Sequence, residues 1–348
     1  MATEFLTEDA KAILLLCGSF RSKDPSDCAP LNLTEYNSVS EWLKQRGWRP
    51  AALLSEEGTH ELINSNLLAS DRVSALLSRG ASLALSLEKW MNKGLWVSCR
   101  SDPTYPVRFK IHLKRQAPPI LYGAGDPERL NDGGMAIVGS RNVDEEGAEF
   151  TAMIGRRAGE HGISIISGGA RGVDQIAMQS ALEVGGRSVG VMSDGLLRAA
   201  LSGKYRDYLR NGNVALISPY NPEAGFNVGM AMGRNKLIYA LADQALVVSA
   251  ETNKGGTWSG AEEELRRPEG RPVYVRIESG VPEGNQELIK LGAREFPLSS
   301  WLTLFKAEAS LEPRIVYEGE MPASTLGSAR VQQSDMEIGS PAILKPGR

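Results

Sequence analysis

Between about Thr7 and Trp96 apolar residues recur at helical spacing. Ala10 and Ile13 to Leu16 begin the series, and Val39, Trp42, Leu43 and Trp48 continue it. Leu62, Ile63, Leu67, Leu68, Val73, Leu76 and Leu77 complete it. Polar stretches at 22–29 and 55–58 divide the predicted helices. The pattern predicts a small helical domain over 1–100 whose apolar residues serve packing. A connector, 101–119, follows; Pro103, Pro106, Pro118 and Pro119 forbid one continuous helix there.

From Ile120 the rhythm changes. Short apolar runs at 120–122, 135–140, 163–167, 188–193, 214–218, 245–249 and 273–277 alternate with amphipathic segments such as 147–159 and 173–184. Alternation of this kind predicts a mostly parallel sheet covered by helices on both faces, a doubly wound α/β domain over 120–297. Five of the runs end in serine, at Ser140, Ser167, Ser193, Ser218 and Ser249. Ligands of open α/β sheets sit beyond the carboxyl ends of the strands, so the serines predict a polar crest there. Residues 298–348 form a short C-terminal segment with an apolar cluster at 298–305. The Ser-, Gly-, Pro- and Gln-rich tail at 318–348 is expected to be disordered.

Composition narrows the partners. Hydrophobic residues make up 42% and charged residues 23%, as in an ordinary soluble globular chain. The apolar patch at 12–17 is too short to span a membrane and lacks the flanks of an export signal, so the expected compartment is the cytoplasm. Three cysteines, Cys17, Cys28 and Cys99, show no paired spacing, which argues against a disulfide framework or a zinc site. A net charge of −3 excludes a broadly basic coat but leaves room for a local basic groove. Aromatic content of 6% argues against a long base-stacking platform.

Four segments supply candidate chemistry. Gly139, Ser140 and Arg141 end the second run; the glycine permits close approach and the arginine can fork onto phosphate. Ser167, Gly168, Gly169, Ala170, Arg171 and Gly172 form a strand–loop–helix passage that collects free N–H groups, without the spacing of a dinucleotide or ATP fingerprint. The adjoining Asp174 caps the helix, contacts a ribose hydroxyl or holds Arg171. Arg234, Asn235 and Lys236 are expected early in a helix, where cations oppose the dipole and so suggest an anionic partner. Gly255, Gly256, Thr257 and Ser259 open a further helix, with Glu262, Glu263 and Glu264 placed near its start. Trp258 either stacks on a base or closes the loop. The histidines, His60, His112 and His161, lie outside the glycine loops. No HExxH, GxSxG or Cys/His arrangement is present, so no metal, cofactor or triad chemistry is expected.

The blocks GSR (139–141), SGGARGVD (167–174), GGRSVGVM (185–192), RNKLIYAL (234–241) and GGTWSGA (255–261), in this order, resemble the DNA-processing protein A family, also called DprA/Smf, of the Rossmann-like SLOG superfamily. The lead-in DPTYPVRFKIHLKRQAPPILYGAGD is similar to that family's as well. The resemblance implies an extended Rossmann-like domain behind a SAM-like helical domain, a homodimer, single-stranded DNA as ligand and a RecA-type recombinase as partner in recombination or DNA uptake. It places Arg141, the 167–172 loop, Arg234, Asn235 and Lys236 on the phosphates, with Gly255 and Gly256 lining the same pocket, and brings no nuclease or ATPase residues. The chain departs from the family at Met178, usually histidine, and at GGTWSGA, usually GSLITA. Nothing after Ile277 resembles the winged helix that many members carry. The alternative within the superfamily is a nucleotide-ligand sensor or a LOG-type nucleoside monophosphate phosphoribohydrolase. In the latter, Glu262 or Glu263 would stabilise an oxocarbenium-like centre while Arg234 held the 5′-phosphate.

Overall fold

The computed structural model describes residues 6–20, 28–278 and 280–306; the expected disordered tail lies outside them. Among the described residues the N-terminal periodicity resolves into five α-helices, α1 (Glu8–Cys17), α2 (Leu33–Gln45), α3 (Glu56–Asn64), α4 (Ser70–Leu77) and α5 (Gly80–Met91), with a 3-10 turn at Pro50–Leu54. Local caps set their starts. Asn32 and Glu35 form a reciprocal capping box at α2, and Ser55 accepts from Gly58 N–H at α3. Leu16, Val39, Trp42, Leu62 and Leu76 share one core.

The remaining elements follow as β1 (Leu95–Cys99), α6 (Val107–Leu113), β2 (Ile120–Ala124), β3 (Met135–Val138), α7 (Glu145–Glu160), β4 (Ile165–Ser167), α8 (Val173–Glu183) and β5 (Ser188–Val191). After these come α9 (Leu196–Leu201), α10 (Gly203–Arg210), β6 (Val214–Ser218), α11 (Val228–Leu241), β7 (Gln244–Val247) and α12 (Gly255–Arg266). The series ends with β8 (Val273–Val275), α13 (Glu283–Lys290), β9 (Arg294–Glu295) and α14 (Thr303–Lys306). Among the described residues nine strands form one sheet in the order β1-β2-β6-β5-β4-β3-β7-β8-β9. The β1–β2 and β2–β6 pairs are antiparallel and all others parallel. This is the expected doubly wound α/β architecture.

Strand order locates the ligand side. From β3 the chain steps through β4, β5 and β6 in one direction, then returns to lay β7 on the other flank of β3. The order therefore reverses between β3 and β7, and the helices leaving these strands diverge to opposite faces. A crevice opens at such a switch point. Val138 pairs with Val247 in register, so both strands deliver their following loops to the same level.

The helical layer and the sheet share a core. Ile13, Leu14, Leu87 and Trp90 from α1 and α5 pack with Tyr122 of β2, and the Trp90 and Tyr122 rings meet edge-on with centroids 5.2 Å apart. At the other edge Trp301, 1% exposed, meets Phe296 at a tilt and Phe305 edge-on, which accounts for the apolar cluster seen at 298–305. Within the connector, prolines leave room for the seven-residue α6. Arg108 on that helix bonds Asp243 at 2.7 Å, joining it to the start of β7. None of the described helices is long and apolar enough to cross a membrane.

Candidate functional site

A cavity of about 430 Å³ occupies the β3/β7 crevice. Gly139, Ser140 and Arg141 after β3, Ser249 and Ala250 after β7, and Arg234 and Asn235 on α11 line it. Gly255, Gly256 and Thr257 at the start of α12 complete the lining. Hydrogen bonds stitch these loops together. Ser140 N–H donates to Ser249 Oγ at 3.1 Å, Thr257 Oγ1 donates to Gly139 O at 3.0 Å, and Asn235 Nδ2 donates to Gly256 O at 2.8 Å. Helix α12 has no side-chain cap at Lys254, so its first N–H groups remain available to an anion.

Arg234 dominates the electrostatics. Its residue is 4% exposed, yet among the described residues it has no hydrogen-bond or ion-pair partner, and its Nε is buried without an acceptor. Burial pushes its pKa down, and the charge of nearby Asp174 opposes that shift. A guanidinium nevertheless stays charged in proteins, so this is a buried cation beside an open cavity. Asp174, the carboxylate that acts most on Arg234, is also buried; burial raises its pKa against the pull of Arg234 and of backbone donors, among them Gly168 N–H at 3.1 Å.

Two glycines make this arrangement possible. A Cβ on Gly168 would lie 1.7 Å from Arg234 Nη1, so the guanidinium rests directly on this residue. Gly172 has φ +86°, and a Cβ there would meet Ser140 O at 2.4 Å; glycine alone lets the two loops approach without strain. Gly168→Ala should leave the melting temperature within a few degrees, because a side-chain end can move aside. It should weaken anion binding in the cavity about ten-fold, a cost of ~1.4 kcal/mol, by displacing the guanidinium. Unchanged affinity in a titration with oligo-dT would separate Gly168 from the site.

The structure redistributes several sequence expectations. Arg234 and Lys236 are not at a helix start: α11 begins at Val228, capped by Asn227, and both lie in the middle or second half of its fourteen residues. The dipole at the start of α11 therefore does not act on these cations, and what sets Arg234 apart is its burial. Lys236 does not line the cavity; it is half-buried, within electrostatic reach of Glu263 and Arg267. Arg171 is exposed and bonds Asn142, bordering a neighbouring surface depression that it shares with Arg141 and Gly172. Trp258 is 4% exposed and belongs to the core, so it closes the loop and offers no ring face to a base. Ser259 turns back to Gly255 O at 3.2 Å. Ser167 is buried and donates to Ile137 O at 2.6 Å; with Ser193 and Ser218 it supports the crest from within rather than facing the cavity. Gly169 lies outside the lining, whereas Ala170 is part of it.

Glu262 and Glu263 were expected at the start of α12 but lie in its second half, where they pair with Arg266 and Arg267 at 2.8 and 3.2 Å. Glu264 is buried against His112 at 2.8 Å. Met178 is fully buried, its Cε near the position a Cβ on Gly190 would take. Sequence reasoning missed Phe226, Val228, Met232, Glu251 and Lys254, all of which line the cavity. The available signal was Asn227, an N-cap residue whose side chain accepts from Met230 N–H.

Fold and crevice together define a Rossmann-like α/β protein with a cationic cleft at its topological switch point. Residues 96–300 match the family model described as DNA recombination-mediator protein A, and the chain belongs to that family. It is 29% identical over 198 residues to DNA processing protein DprA of Streptococcus pneumoniae, covering 56% of this chain and 68% of that one. It is 29% identical over 184 residues to protein Smf of Escherichia coli, covering 51% of this chain and 48% of that protein. The solved S. pneumoniae structure superimposes with a TM-score of 0.64 at 21% identity, covering 86% of this chain and 98% of the other. DNA processing protein A of Helicobacter pylori, described in its single-stranded DNA binding mode, gives 0.52 at 25% identity, covering 62% and 98%.

Proposed function

We propose that this chain binds single-stranded DNA through its phosphate backbone and performs no reaction on it. The carrying observation is Arg234, a buried guanidinium without a partner among the described residues, beside a cavity that also receives Arg141 and Lys254. A buried charge is costly unless something compensates it, and a phosphate entering the cavity does so. A volume of about 430 Å³ suits one nucleotide unit, which a single strand can splay out and a duplex cannot. Loop N–H groups and guanidinium forks read phosphate rather than base edges, so the contact is independent of sequence. On the resemblance alone, a second copy of the chain and a RecA-type recombinase, acting in the cytoplasm, complete this reading.

The test is fluorescence anisotropy of labelled oligo-dT, single-stranded and duplex, over a salt series. The single strand should bind more tightly. Log affinity should fall linearly with log salt, at about −0.7 per neutralised phosphate, which gives a slope of about −1.4 for Arg234 and Arg141; Lys254, the third cation at the cavity, is already paired with Glu251 at 2.9 Å. Absence of binding at low salt would defeat the proposal and turn attention to a free nucleotide, sought by native mass spectrometry. The phosphoribohydrolase alternative needs Glu262 or Glu263 in the cavity, and both are engaged elsewhere on α12.

A further inference from the structure

Phe226 sits on the rim of the cavity with 55% of its surface exposed, flanked by Val228 at 63% and Met232 at 44%. Scattered exposed apolar residues are ordinary on protein surfaces. Three together on the lip of a cationic cleft, one of them aromatic, are not scattered. The guanidinium of Arg141 lies over the Phe226 ring, 5.1 Å from its centroid. The cation covers part of the ring, yet 55% of the residue stays exposed, so a flat base can stack on the open part with its phosphate near the guanidinium.

The loop presenting this ring is tied down along its length. Leu197 N–H donates to Pro222 O and Gly195 N–H to Ala224 O, both at 2.9 Å. Two further ties come from the N-terminal helical layer: Asn221 Nδ2 donates to Ser19 O at 2.7 Å, and Lys89 on α5 pairs with Glu223 at 2.6 Å. On the far side of Phe226, Asn227 caps α11 by accepting from Met230 N–H at 3.1 Å. An exposed ring on so restrained a backbone loses little entropy when a ligand covers it, which is the condition for a preorganised stacking surface.

We propose that Phe226 is a base-stacking platform at the mouth of the cleft, and that Asn221 and Lys89 are positioning residues through which the helical layer holds it. This rests on the single-stranded DNA reading and adds to it a base contact, supplied by a residue outside the glycine-rich blocks.

The experiment compares oligo-dT with an abasic strand of the same length, which has the phosphates but no bases. Phe226→Ala should weaken oligo-dT about ten-fold and leave both the abasic affinity and the salt slope unchanged; base–aromatic stacking has this order of magnitude. Phe226→Trp should restore oligo-dT binding. Asn221→Ala should weaken oligo-dT in the wild-type background and add little in the Phe226→Ala background, because the two residues act through one contact. Equal weakening for both strands, or no effect while the wild type binds oligo-dT, would overturn the platform and leave the phosphate reading standing. Failure of the wild type to bind either strand would overturn both. If Phe226→Ala instead halves the mass of the particle in solution, with no discrimination between the strands, the rim covers a second copy of the chain and the platform is again excluded.

Discussion

Arg234→Met is expected to weaken binding of single-stranded oligo-dT about a hundred-fold and to reduce the salt slope by about 0.7, the contribution of one phosphate. A hydrogen bond to a charged group contributes roughly 1.5–3 kcal/mol. Arg234 belongs at the upper end, because it is buried and has no partner among the described residues to compete with the ligand. Lys236→Met should change affinity less than two-fold and leave the slope as it was. That side chain lies outside the cavity lining, near Glu263 and Arg267, and burial pushes its ammonium pKa down while Glu263 opposes the shift. The pair therefore separates two explanations that the sequence merges, a helix start rich in cations and one cation delivered into a crevice. Removing Arg234 also strips Asp174 of the opposing charge that lowers its pKa. Asp174→Asn in the Arg234→Met background controls for any loss of fold, and thermal melting should show the double variant folded. Wild-type affinity in Arg234→Met would sink the proposed site.

The second large effect falls on stability. His112→Ala should destabilise the protein by roughly 1.5–3 kcal/mol, since it removes one hydrogen-bond partner of a buried carboxylate and leaves Arg271 N–H and Arg267 to hold it. His112 and Glu264 have side-chain exposures of 3% and 1%, and their bond at 2.8 Å ties α6 to α12. A fall in melting temperature of roughly 3–10 °C is expected. Burial alone would raise the Glu264 pKa; the bonds from His112 and Arg271 N–H, with the charges of His112 and Arg267, outweigh burial and hold the carboxyl below its ordinary value of 4.5. A carboxylate held low in the folded state stabilises fully above the unfolded value and loses that contribution as pH falls through the lowered one. The gap in stability between wild type and His112→Ala should therefore be widest above pH 4.5 and shrink in more acid solution. A melting difference of under 2 °C at neutral pH, or one that widens on acidification, would contradict this account. His112→Gln, which retains a donor, should recover part of the loss.

Much of the fold was legible because strands and helices impose different periods on apolar residues. The run at Val214–Ser218 coincides with β6, and the runs after residue 120 all correspond to strands. The start of α11 was misplaced because 228–233, VGMAMG, shows no clear amphipathic period. Its outward positions carry Val228 and Met232, apolar residues that face the cavity rim instead of the core, so the pattern that marks a surface helix is absent. Trp258 was ambiguous for a similar reason: one indole in a glycine-rich turn reads alike whether it faces solvent or packs inward, and only the neighbouring strands decide. The partnership of His112 with Glu264 was invisible because 152 residues separate them.

By itself, the order of apolar runs and glycine loops determined a doubly wound sheet with a polar, glycine-rich crest, and five ordered blocks pointed to the family. These are local properties, written within windows of a few residues. The tertiary structure alone decided which crest elements meet. Laying β7 against β3 puts the switch point, and hence the crevice, between those two strands. The same packing draws Arg234 over Gly168 and leaves Lys236 and Arg171 outside, although all three cations sit in equivalent-looking loop and helix segments. Strand order and the burial of a side chain depend on contacts between residues far apart in the chain, and no local pattern encodes them.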